Sequence, residues 1–213
     1  TPTPVGPPTL TPARPIVDEN IYSLLPWSAE KADQVVGLVG DYPNTLPRQA
    51  RGENDENYYA AFQHVVLALN EALLRFPQSP QADRWGWNLA QNLARTGDPR
   101  AGDQYALLVT TALNRQETDL KKLSSWVQDK QPGVDMNLTQ LDPLPGYLST
   151  HLVQIGLAGG TVFLLLETPA GFQSQVLESN FNFINPAPLD AFSSDLTGDG
   201  IQEVVVYSQI PGE

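Results

Sequence analysis

The spacing of apolar residues changes along this chain from a helical period to a strand period, and this change limits the fold more than any other feature. Between 55 and 75, apolar residues recur at three- and four-residue steps: Tyr59, Phe62, Val66, Leu69 and Leu73. From about residue 148 the apolar runs become short and rich in β-branched and aromatic residues. The sequence therefore predicts an α+β fold, with a helical hairpin bundle followed by an antiparallel β meander.

Three further helical regions are predicted around the long one. The first begins after Ser28, whose hydroxyl can cap the free amides of a helix that ends near Gly40. A second and a third helix, through Trp85 and Tyr105, are separated by the turn residues 96–99. The apolar residues of 120–127 either continue the third helix or start a new one after Arg115.

The predicted strands cover 152–155, 161–167 and 172–177, and a last strand covers 203–207. Prolines and glycines in 132–145 interrupt all periodicity, so this segment is predicted to form the boundary between the helical and β parts. The predicted organisation is a Pro/Thr-rich disordered tether at 1–20, a helical subdomain at 21–131 and a β subdomain at 145–213.

Composition limits location and partners. Proline keeps the first 20 residues extended, a composition typical of spacers that carry secreted or lipid-anchored domains, although a disordered chain end fits these residues equally well. We therefore expect an extracytoplasmic protein, secreted or surface-anchored, with any lipid anchor upstream of Thr1. No apolar run approaches the roughly 20 residues of a membrane-spanning helix.

The chain is acidic, with 24 Asp and Glu against 12 Lys and Arg and a net charge of -12. Such a surface repels phosphate backbones, which argues against a nucleic-acid partner. There is no cysteine and there are two histidines, His64 and His151, too few for a zinc site without other ligands.

The most informative motif is the acidic loop before the last strand. Calcium binds six to eight oxygen atoms, and a short loop with an oxygen at every second residue can surround it. Here the side chains of Asp195, Thr197, Asp199 and Glu203 and the backbone carbonyl of Ile201 have that spacing, and Gly200 permits a tight turn. The alternative is an ordinary turn whose acidic residues face water.

An EF-hand needs an acidic residue at the twelfth loop position, where this chain has Val206 in a β run. The segment 195–206 instead resembles the loop-and-strand unit of FG-GAP or VCBS-like repeats. That resemblance implies calcium in the loop, with Asp195, Thr197, Asp199 and Glu203 as side-chain ligands, and a local β module in place of a complete propeller, since one copy is present. Calcium would then stabilise the loop by neutralising its clustered acids.

A weaker resemblance concerns the helices. The segment 76–112, with its Phe76–Pro80 break, is similar to a tetratricopeptide-type hairpin, and that resemblance implies peptide or domain binding. Because many helical pairs serve only packing, the favoured interpretation is a packed hairpin that acts as scaffold. Trp85 and Trp87 lie two residues apart and cannot share a helix face, so one is predicted in the core. The other could be exposed as a sugar or partner contact, although partial burial beside the neighbouring helix is the commoner outcome.

No recognisable catalytic motif is present, neither a nucleophile elbow nor a metalloprotease or phosphate-binding motif. The expected function is a noncatalytic extracellular or cell-surface interaction module that calcium stabilises, with a protein or a surface polymer as partner. The alternative is a hydrolase, or the accessory domain of one, that acts on an envelope polymer or polysaccharide through acids such as Glu167, Glu178 and Asp190. A purely structural spacer is a third hypothesis.

Overall fold

The computed structural model describes residues 28–40, 56–156, 160–181, 189–200 and 203–208. The chain divides into two compact units, Thr1–Ser79 and Pro80–Glu213. The predicted tether at 1–20 lies outside the described residues.

The described part of the first unit, 28–40 and 56–79, contains two helices that pack against each other, α1 (Ala29–Gly40) and α2 (Glu56–Arg75). As predicted, the Ser28 hydroxyl caps α1, because its oxygen accepts a hydrogen bond from the Lys31 amide at 3.2 Å. The predicted stripe of α2 is buried at Phe62, Val66 and Leu69. The side chain of Tyr59 lies outside the described part.

The helices of the second unit are α3 (Ala82–Arg95), α4 (Arg100–Asn114) and α5 (Leu123–Lys130). Helices α3 and α4 pack against each other. The turn between them begins at Gly97, whose φ of 68° is the left-handed conformation that glycine adopts without strain. Helix α5 starts a new element after Arg115, which settles the alternative that the sequence left open.

The sheet of the second unit has four antiparallel strands in the order β1-β2-β3-β4, so the predicted meander is confirmed. Its strands are β1 (Asp135–Leu141), β2 (Ser149–Gly156), β3 (Gly160–Thr168) and β4 (Gly171–Phe181). Strand β1 lies within 132–145, where the sequence analysis predicted only a boundary. The change from helix to strand does fall at this segment, between Lys130 and Asp135, but the strand itself was not predicted, because it is a short edge strand with a half-polar sequence that is flanked by prolines.

Both faces of this sheet are covered. Helices α4 and α5 pack on one face, where Val153, Phe163 and Leu165 join a core with residues of the helices. A separate two-stranded ribbon, β5 (Leu189–Ser194) and β6 (Glu203–Ser208), covers the other face, where Val204 and Val206 pack against Leu152, Leu164 and their neighbours. Helices 82–130 and the sheet therefore share one core, and the compact unit 80–213 spans both sides of the predicted boundary.

The observed architecture is an α+β fold with helices followed by an antiparallel meander. Within the described ranges, no helix combines the length and the apolar character that a bilayer crossing requires.

Candidate functional site

The predicted calcium-type loop connects β5 to β6. Residues 195–200 are all exposed. Gly198 and Gly200 have φ values of 75° and 83°, a backbone region that other residues rarely adopt. These two glycines turn the backbone back on itself, so that its amides face the carboxylate that precedes them.

That carboxylate belongs to Asp195. One of its oxygens accepts a hydrogen bond from the Gly198 amide at 2.6 Å, and the other accepts from the Gly200 amide at 2.9 Å. A carboxylate has about four lone-pair positions. Each oxygen of Asp195 therefore keeps a lone pair after making these bonds.

The other end of the loop is held by Glu203, the first residue of β6. Its two oxygens accept hydrogen bonds from the Leu196 amide at 2.8 Å and from the Thr197 hydroxyl at 3.1 Å. The loop thus brings together Glu203 and Thr197, two of the predicted ligands. Because Thr197 donates its proton to Glu203, its oxygen lone pairs remain able to accept or to coordinate.

The donor chemistry of the loop fits a hard cation, since its described side chains offer carboxylate and hydroxyl oxygens. Asp199 is exposed, and Ile201 lies outside the described residues. In the part of the chain that the structure describes, no group of three or more His, Asp or Glu side chains is arranged to hold a metal ion. Calcium at this loop therefore stays a prediction.

The two tryptophans of α3 differ from the prediction that one of them could be exposed. Trp85 and Trp87 are both buried, with 0% and 1% of their surface exposed, so neither can be an exposed sugar contact. The expectation that one of them could be exposed was wrong because α3 is covered on more than one side. Trp87 packs in the helix-sheet core, 6.0 Å from Tyr105 between ring centroids.

His151 lies on β2 and is 7% exposed. Burial lowers the pKa of His151, and the negative charge of Glu167 opposes that shift. The nearby Ser149 hydroxyl donates to Glu167 at 2.6 Å, while Nδ1 of His151 has no hydrogen-bond partner among the described residues. The described contacts therefore do not join Ser149 and His151 as a nucleophile and its base.

Comparisons of the chain with models of protein families, with curated proteins and with solved structures found no match.

Proposed function

We propose that this chain is a noncatalytic extracytoplasmic interaction module and that a calcium ion in the loop 195–203 stabilises its β5–β6 ribbon. The observation that carries the proposal is the pair of carboxylates, Asp195 and Glu203, that close the loop from its two ends. The resemblance of 195–206 to the FG-GAP or VCBS-like unit supports the same ligand set.

The loop has a structural reason to gain from a cation. Asp195 and Asp199 in the exposed turn and Glu203 at the start of β6 place three negative charges close together in sequence, and their repulsion opposes the folded conformation. Val204 and Val206 follow directly and pack on the sheet. An ion that neutralises the loop would therefore also favour the docking of β6.

The calcium affinity that we expect of the loop is related to the location of the protein. The loop is exposed, and one of its predicted ligands is a hydroxyl, a weaker ligand than a carboxylate. Extracellular calcium modules have dissociation constants of about 10⁻⁴ to 10⁻³ M. A site of that class would be filled where calcium is millimolar, as the extracytoplasmic location that we propose would require.

Calcium titration with thermal and urea unfolding tests the site. At about 100 times the dissociation constant, a ligand specific for the folded state adds about 2.7 kcal/mol to the free energy of unfolding. We expect Asp195→Asn and Glu203→Gln to remove this gain, since they keep side-chain volume but lose a ligand charge. Asp142→Asn, an exposed acid outside the loop, is the matched control and should keep the full response.

Two results would reject the calcium proposal. One is an unfolding free energy of the wild-type chain that does not change with calcium. The other is a calcium response that both loop variants retain in full.

The hydrolase alternative needs a carboxyl group whose pKa is raised, so that it can act as a general acid. Of the acids named for this alternative, Glu167 accepts a hydrogen bond from the Ser149 hydroxyl at 2.6 Å. The side chains of Glu178 and Asp190 lie outside the described residues, so the hydrolase alternative stays a prediction.

A further inference from the structure

An open groove of about 840 Å³ lies in the second unit, at the end of α4 and alongside α5. We call it the α4–α5 groove and define it by Gln116, Asp119, Trp126, Asp129 and Phe172. Its size falls in the range of about 300–1,000 Å³ that is usual for small-molecule sites. None of the predicted calcium ligands that the structure describes, Asp195, Thr197, Asp199 and Glu203, lines it.

Trp126 is the larger aromatic side chain of the groove. It is half-buried, and its ring lies 5.7 Å from the ring of buried Trp87 at an interplanar angle of 62°, which fixes its orientation. The Lys130 ammonium lies over the same ring, 5.4 Å from its centroid. Lys130 does not line the groove, whereas Trp126 does, so the part of Trp126 that faces the groove is distinct from its contact with Lys130.

Phe172 is held at the other side of the groove by its backbone. Asn114 accepts a hydrogen bond from the Phe172 amide at 2.7 Å and donates one to the Phe172 carbonyl at 3.0 Å. A Cβ on the preceding residue, Gly171, would lie 2.5 Å from the Asn114 oxygen, so glycine is needed for this contact. The β3–β4 turn is thereby attached to the end of α4, and Phe172 is positioned without full burial.

The rim of the groove carries both donors and acceptors. Asp129 is exposed and has no partner among the described residues, whereas Asp119 pairs with Lys122 at 3.6 Å. Lys121 and Ser125 add further polar groups. Because both signs of charge line the groove, it has no strong field to select a polyanion or a basic peptide.

Gln116 is an independent sign of a site. Its φ is 58°, and the bonds Gln116 N to Leu113 O and Glu117 N to Ala112 O close α4 as the equivalent bonds at Gly97 close α3. Glycine is the usual residue at such a position. Non-glycine residues in this backbone conformation cluster at functional sites, and this one lines the groove.

We infer that the α4–α5 groove binds a neutral saccharide. A sugar ring has an apolar C–H face, which suits Trp126 and Phe172, and a rim of hydroxyls that both donate and accept, which suits Asp129, Lys121 and Gln116. This inference goes beyond the proposed function and does not depend on calcium in the loop.

Neutral glucose-, galactose- and N-acetylglucosamine-based oligosaccharides of about four to six units are the probes, a size matched to an open groove of this class. We expect one series to shift the backbone amide signals of 113–129 and 172 and to bind with the same affinity with or without calcium. Removing a charge-assisted hydrogen bond in Asp129→Asn should weaken binding about tenfold. Trp126→Phe keeps an aromatic ring but loses the indole N–H and should weaken binding several-fold.

The matched control is Asp103→Asn, an exposed acid in the first turn of α4 outside the groove, which should bind as the wild type does. The inference is overturned if no probe shifts these signals at millimolar concentration, or if Asp129→Asn and Trp126→Phe both bind unchanged. Binding of choline or of a lysine-rich peptide without any saccharide would also overturn it. Loss of the calcium response with retained sugar binding would reject only the proposed function.

Discussion

The two faces of the four-stranded sheet are buried by different means. The core on the helix-facing side contains large aromatic side chains, Trp87, Tyr105 and Phe163 among them. The fully buried side chains of the other face are aliphatic, and their partly buried cover comes from Val204 and Val206 of the ribbon and from Leu144 and Tyr147 between β1 and β2. The first face is therefore a thick, filled core, and the second is a thinner layer whose stability depends in part on how firmly the ribbon is held.

Strand β3 shows how this difference arises from sequence. Its run Val162–Leu166 has no polar residue, and a strand with continuous apolar character is buried on both faces. Successive side chains alternate, so Phe163 and Leu165 face the helices while Val162, Leu164 and Leu166 face the ribbon. Leu164 and Leu165 are adjacent in sequence but lie on opposite faces, so substituting each of them tests one face.

The largest expected effect compares these leucines. Leu→Ala changes in cores cost about 2–5 kcal/mol, and the cost is highest where the surroundings cannot collapse into the cavity. We expect Leu165→Ala to lie near the upper end of that range and Leu164→Ala near the lower end, because the ribbon can move inward. Urea unfolding of the two variants measures both values. Equal losses would contradict the contrast between the faces.

A smaller effect is expected at Val206, on the ribbon side. The side chain is partly buried, so Val206→Ala should lower the free energy of unfolding by about 1 kcal/mol through lost apolar burial. If the loop binds calcium, this variant should also need more calcium for half-saturation, since docking and ion binding are linked. A loss of unfolding free energy as large as that of Leu165→Ala would mean that the ribbon covers its face as firmly as the helices cover theirs.

A gain in stability is expected at the helical side. Gln116→Gly relieves a left-handed backbone conformation and should raise the free energy of unfolding by about 0.5–1 kcal/mol. The same variant should weaken saccharide binding in the α4–α5 groove, since it removes a lining side chain. Thermal unfolding with a Gly97→Ala variant as the opposite control, which should lose stability, checks the backbone argument.

The smallest expected effect is a loss of stability at acidic pH that arises from His151. His151 shares the helix-facing side with Val153 and Ile155 by strand alternation. Burial lowers its pKa in the folded state, against the opposing charge of Glu167, so the unfolded chain takes up the proton first as pH falls. Stability should therefore decrease as pH drops below about 6.5, the pKa of an unperturbed histidine, and level off below the folded pKa.

Unfolding curves at several pH values for the wild type and for His151→Gln isolate this contribution. The free energy of unfolding of the wild type, relative to that of the variant, should fall steadily as pH drops through that window. A difference that stays constant with pH would show that His151 is protonated equally in both states.

Much of the fold could be predicted because local patterns determine it. The helix at 56–75, the cap at Ser28 and the three meander strands from 149 to 181 each have their own periodicity or turn residues. Strand β1 could not be predicted, because the partner strand β2, and not its own sequence, makes it a strand. The burial of both Trp85 and Trp87 likewise depends on tertiary packing.

The two candidate sites differ in the same way. The loop 195–203 is contiguous, so its spacing in sequence predicts which oxygens lie close together, and Thr197 does meet Glu203. The α4–α5 groove combines residues 113–129 with Phe172, which only the turn before β4 brings to the end of α4. The left-handed conformation of Gln116 has no sequence signal either, since glutamine is not a residue that usually adopts it.

The ribbon and the main sheet are separate hydrogen-bonded ladders in the described part of the chain, and side-chain packing alone joins β6 to the face beneath it. The ribbon can therefore detach without breaking any backbone pairing of β1 to β4. Its amide protons should exchange with deuterated solvent by such partial opening, while those of β3 should exchange only when the whole unit unfolds. Each opening would briefly uncover the side of Leu152, Leu164 and their neighbours that Val204 and Val206 cover, while Leu144 and Tyr147 stay in place with the sheet.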